Sequence, residues 1–165
     1  MIDHIELLVE RLRDELKQYG ELMALLDRQQ ELVLQRDADG IQATAEQIDQ
    51  QSFVLEELKA IRQRVQEDLA QAMGMSPSTT IEALLPHMPE AYRPLIKALV
   101  EDNNFSIQRI GRVARQNHML LSRSIEMVGG LIRSICPDQT PNVYNGSGEV
   151  VSHSLYMNQT CEHVC

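Results

Sequence analysis

Leu25-Leu26-Asp27-Arg28-Gln29-Gln30-Glu31-Leu32-Val33-Leu34-Gln35-Arg36-Asp37-Ala38-Asp39-Gly40-Ile41 decides between one long rod and two helices folded back on each other. Upstream, Ile5, Leu8, Val9, Leu12, Leu16, Tyr19, Leu22, Leu26, Leu32 and Val33 recur in steps of mostly three and four. Such spacing lines one face of a helix with about 3.6 residues per turn, and not one face of a strand. The polar run Arg36-Asp37-Ala38-Asp39-Gly40 interrupts the stripe, and Asp37 or Asp39 can start a new helix by accepting from a free backbone N–H. The reading is a hairpin. Its rival is a continuous rod, since one Gly costs a helix only about 1 kcal/mol relative to Ala.

The second helix is expected over residues 38–73, with Ile41, Ile48, Leu55, Leu58, Val65 and Leu69 on one side. Ile41, Ile48 and Leu55 keep a heptad step that Arg62 breaks, which suits a short seam inside a bundle better than a long two-stranded coil. Gly74-Met75-Ser76-Pro77 ends it. Ser78, Thr79 or Thr80 can cap a short helix through Leu85, with Glu82 three residues after Thr79 completing a capping box, and Pro86 and Pro89 closing the piece. A third long helix begins near residues 90–93 and tolerates Pro94 in its first turn. Leu95, Leu99, Ile107, Ile110, Val113, Leu120, Leu121, Met127, Val128, Leu131 and Ile132 carry its stripe to Ile135. Gly129-Gly130 costs about 2 kcal/mol of helix propensity, so the last turn or two are expected to fray or bend unless something packs on them.

The fold class is therefore all-α: an elongated antiparallel bundle of three long helices, one short extra helix between the second and third, and a C-terminal tail. Residues 1–136 form the helical domain and 137–165 the tail, which is extended or ordered on a partner. The tail is punctuated by Pro137, Pro141, Gly146 and Gly148, yet Val143, Tyr144, Val150, Val151, Leu155, Tyr156 and Met157 make it too apolar for a mere spacer.

With 165 residues the chain suits one domain, and with 4% aromatics, no Trp and two Phe its core must be aliphatic. The net charge of −9 argues against duplex nucleic acid or anionic lipid as the main partner. Charge is uneven: residues 93–133 hold 7 basic and 3 acidic side chains, while residues 1–92 hold 8 and 18. Pairing of the basic third helix with the two acidic ones is the expected use of that asymmetry. No basic start or long apolar run marks a secretory signal or a membrane span, so a soluble, cytoplasmic protein without membrane insertion is expected. Cys136, Cys161 and Cys165 are odd in number and crowd the last 30 residues, which speaks against a disulfide framework.

Chemistry-bearing motifs are absent. No His has Glu three residues before it, as a di-iron bundle requires, and there is no phosphate loop, serine elbow or HExxH. Cys161-Glu162-His163-Val164-Cys165 matches no familiar zinc spacing, even with His153 recruited. No enzyme, metal or other cofactor is expected, and long amphipathic helices with an apolar tail point to a binding protein.

Residues 25–41, followed by Ile48, Val54-Leu55, Leu58 and Arg62 or Arg64, resemble the FlgN family of flagellar export chaperones. Asn117-His118-Met119-Leu120-Leu121, Ser124, Met127-Val128 and Leu131 agree, as does Tyr144-Asn145-Gly146-Ser147-Gly148, similar to the family's Tyr-x-x-x-Gly tail. Gln29 and Gln51 depart from a usual Glu and Lys. The resemblance implies a cytoplasmic chaperone that binds hook-associated proteins, the hook-filament junction subunits, and delivers them to the flagellar type III export gate and export ATPase complex. It implies a client stripe of Asn117, Leu120, Leu121, Ser124, Met127, Val128, Leu131 and Ile132. Tyr144 and Gly148 would serve export-gate docking. The competing reading is a structural coiled-coil adaptor that self-assembles, and a weak homo-oligomer is compatible with either.

Overall fold

The structure, a computed structural model, describes residues 2–135. Within them the chain is helical: α1 (Ile2–Gln35), α2 (Ala38–Ala72), the one-turn α3 (Ile81–Leu84) continued by a 3-10 turn (Leu85–His87), and α4 (Arg93–Ile135). The hairpin reading holds and the rod does not. At the end of α1, the Arg36 N–H donates to Val33 O and the Asp37 N–H to Leu32 O, at 3.2 and 3.1 Å. These two bonds close the helix around Arg36, whose φ of 59° is left-handed. Asp37 then caps α2, its carboxylate accepting from the Gly40 N–H at 3.0 Å. Gly40 is needed there because an added Cβ would lie 2.6 Å from the capping Asp37 Oδ2 and 2.8 Å from Leu32 Cδ2.

Two bonds across the hairpin set its sense. Arg62 reaches Glu15, and Gln51 Nε2 donates to Gln18 Oε1 at 2.6 Å, so rising numbers on α1 meet falling numbers on α2. α2 ends in the same way as α1, with the Gly74 N–H on Gln71 O and the Met75 N–H on Ala70 O, here around a glycine at φ 73°.

Two apolar clusters form the core. The first joins Ile5, Leu8, Val9 and Leu12 of α1 to Val65, Leu69 and Ala70 of α2, Ile81 and Leu84 of α3, Met88, and Ile96 and Leu99 of α4. The second joins Tyr19, Leu22 and Leu26 to Leu55, with Ile48, Ile110, Val113 and Ala114 packed against it. Between them in sequence lies a polar layer. Glu15, only 3% exposed, accepts from Arg62 Nε at 2.7 Å, and Arg62 Nη1 donates to Gln66 Oε1 at 3.1 Å. Arg62 breaks the heptad because it neutralises a carboxylate buried on the facing helix. An unpaired charge there would be costly.

Among the described residues the chain divides into two compact units, one ending at Leu121 and the other beginning at Ser122. Two expectations are corrected, the capping box and the pairing of α4. Of the three capping candidates Thr80 caps α3, accepting from the Ala83 N–H at 3.3 Å, so Glu82 falls one position short of the capping box expected with Thr79, and Thr79 Oγ1 donates to Ser76 O instead. The helical path of α4 runs through Gly129-Gly130 to Ile135. Among the described residues no ion pair joins α4 to α1 or α2, because the arginines of α4 occupy its exposed side and its packed face is apolar or amide.

Candidate partner-binding surface

α4 holds α1 through an unusual seam. Of its 43 residues only Ile96, Leu99, Asn103 and Asn117 are buried. Asn103 Nδ2 donates to Leu12 O at 3.0 Å and to Leu99 O at 2.8 Å. Two heptads on, Asn117 Nδ2 donates to Leu26 O at 2.7 Å and to Gln29 Oε1 at 3.1 Å. Both pairings span 91 residues, so the two helices run in the same direction in a constant register. Each amide oxygen, Asn103 Oδ1 and Asn117 Oδ1, is buried with no partner.

The candidate client stripe is thereby divided by environment. Asn117 is 1% exposed and bonded to α1. Leu120 and Leu121 are half-buried. In the second unit Ser124 is half-buried, whereas Met127, Val128, Leu131 and Ile132 stand 62%, 55%, 61% and 53% exposed. Ile125 and Ile135, at 72% and 71%, extend this surface, and both belonged to the three- and four-residue steps through Val128 although they were not among the candidates. Tyr144 and Gly148 lie outside the described residues, as do Cys161, His163 and Cys165.

Polar chemistry elsewhere is sealed. A cavity of about 350 Å³ opens beside Tyr19, Arg62 and Asn103. The Tyr19 hydroxyl and Asn103 Oδ1 are nevertheless occluded and unpartnered. Burial, with a smaller contribution from the Glu15 charge, pushes the Tyr19 hydroxyl up to about 12, Arg62 opposing. Lys59 Nζ lies 5.7 Å from the centre of the Tyr19 ring. Among the described residues no cluster of His, Cys, Asp and Glu is placed to hold a metal ion, and no helix is long and apolar enough to cross a membrane.

The model of the FlgN protein family matches residues 1–152. The chain belongs to the FlgN family. Membership supports a general role as a flagellar export chaperone, and the family is not known for enzymatic activity. No curated protein and no solved structure matches this FlgN-family chain.

Proposed function

We propose that this FlgN-family chain is a cytoplasmic chaperone that binds hook-associated proteins and delivers them to the flagellar export gate and its ATPase complex. The three long helices act in this reading as one elongated antiparallel bundle, residues 1–136, that carries the site. The observation that supports the reading is the uncovered apolar face of Met127, Val128, Leu131 and Ile132, on a helix whose earlier stripe is occupied by α1. An exposed amphipathic helix recognises another through apolar anchors three, four and seven residues apart, which suits a client's unassembled terminal helix. Asn117 belongs to the supporting seam, Leu120 and Leu121 to the transition, and Ser124 to the edge of the client face. Tyr144 and Gly148 act separately, the Tyr ring anchoring the loaded chaperone on the export gate. The test is co-purification from a flagellated bacterium of the full chain and its Leu131→Asp variant. The parent is expected to capture hook-associated proteins. A charge on the face would strand itself in a desolvated interface, so the variant should lose at least about tenfold in affinity with its helicity intact. Capture of no junction protein by the parent ends the reading.

A further inference from the structure

Gly129 and Gly130 stand inside α4 with no reason internal to the chain. Neither has a left-handed φ. A Cβ built on Gly130 would meet nothing within 4 Å, and one on Gly129 would meet, beyond its own chain neighbours, Arg133 Nη1 at 3.6 Å, an ordinary contact. Glycine is the poorest helix former after proline, so almost any other residue would hold this part of α4 better. The two positions differ in what surrounds them. Residues i, i+3, i+4 and i+7 of a helix frame the hole that receives one side chain of a facing helix. Ile125, Val128, Gly129 and Ile132 have that spacing, and the three apolar members are each more than half exposed. Glycine in the third place opens the floor of the hole down to the backbone. Gly130, turned on by about 100°, lies instead on the polar side, one turn from Glu126 and Arg133.

We infer that Ile125, Val128, Gly129 and Ile132 form a socket for one large apolar side chain, Leu, Met or Phe, of the client's helix, and that Arg133 at its lip pairs with a client carboxylate one turn from that side chain. The inference rests on the client reading and states what the client has to carry. Two observations select an acidic amphipathic helix as the occupant. Between residues 122 and 135 the charged side chains are Arg123, Glu126 and Arg133, so the segment is net basic. Among the described residues none of the three takes part in an ion pair. Two copies of this segment would set more arginine than glutamate against each other, whereas a partner with carboxylates beside its apolar anchor meets Arg133 favourably. The same glycine that weakens the free helix lets the partner's side chain reach the backbone, and the contact it admits then holds that turn in place.

Titration calorimetry of the full chain against each purified, full-length hook-associated protein tests this with a matched pair of variants. Gly129→Leu fills the socket and should weaken binding about tenfold or more. Gly130→Leu adds the same side chain on the other side of the helix and should leave the affinity within about twofold of the parent's. Circular dichroism should show equal or greater helicity in both, so a loss confined to the first does not come from unfolding. Arg133→Glu should weaken binding about tenfold, and Arg133→Lys by less. Parent affinity in Gly129→Leu, equal losses in the pair, or parent affinity in Arg133→Glu would overturn the inference and leave the client reading standing. A parent that binds no hook-associated protein overturns both. Self-association of the parent in sedimentation equilibrium that Gly129→Leu abolishes would give the socket to a second copy and overturn the inference as well.

Discussion

At the scale of single residues, the most informative side chains break a local preference. Arg36 occupies a left-handed position that favours Gly, and no sequence signal marks it, which is why the hairpin was legible only as a polar run between residues 36 and 40. Arg36→Gly is expected to raise stability by about 0.5–1 kcal/mol, measured by urea denaturation, because the strain at the helix end is removed. Tyr19 carries a buried hydroxyl with no partner. Its deprotonation is disfavoured in the folded state, where the pKa is pushed up to about 12 from 10.0. The resulting stability is complete below pH 10 and is lost as pH rises toward 12. Tyr19→Phe should therefore raise the melting temperature at neutral pH by a few degrees and flatten the alkaline loss. A lower melting temperature at pH 7 would show that the hydroxyl is satisfied after all. Asn103 was not legible: in a helical stripe it reads as an interruption, and only its bond to Leu12 O reveals a packed position.

The elements were the most legible level, since α1, α2 and α4 are long enough for periodicity to be unambiguous and their ends carry Asp37, Gly74 and Pro94 as punctuation. Faces were less so. Leu95 sits on the stripe by spacing but is 36% exposed, while its neighbour Ile96 is fully buried, because a one-position rotation of the packed face is within the ambiguity of a stripe this wide. α4 shows the steepest gradient of support along any element. Its buried apolar residues, Ile96 and Leu99, fall in its first two turns, and beyond them only two asparagines are buried. Hydrogen exchange on the free protein should reflect this, with slow amides near Leu99, intermediate ones to Asn117, and fast ones from residue 122 to Ile135. Adding a hook-associated client should slow the last group most. Uniform protection along α4 in the free chain would count against both the gradient and the client face.

For the molecule as a whole, the two asparagines matter more than any apolar residue on α4. Buried amides at core positions lower stability but select one alignment over its neighbours. The double variant Asn103→Leu, Asn117→Leu is expected to melt higher than the parent, while its NMR spectrum broadens or doubles as α4 samples shifted registers on α1. A single sharp set of signals would show that other contacts fix the alignment. The constant separation of 91 residues also constrains how such a chain can change its length over generations. A slip of one heptad removes both amides from their carbonyls, and a slip of two restores only one, like a key with two teeth in a lock cut for both. Insertions and deletions in the turn around residues 73–80 leave those pairings in place and should be tolerated in descendants. One within α1 or α4, between the two teeth, has to be matched by an equal change in the other helix, so these segments should lengthen or shorten together or not at all.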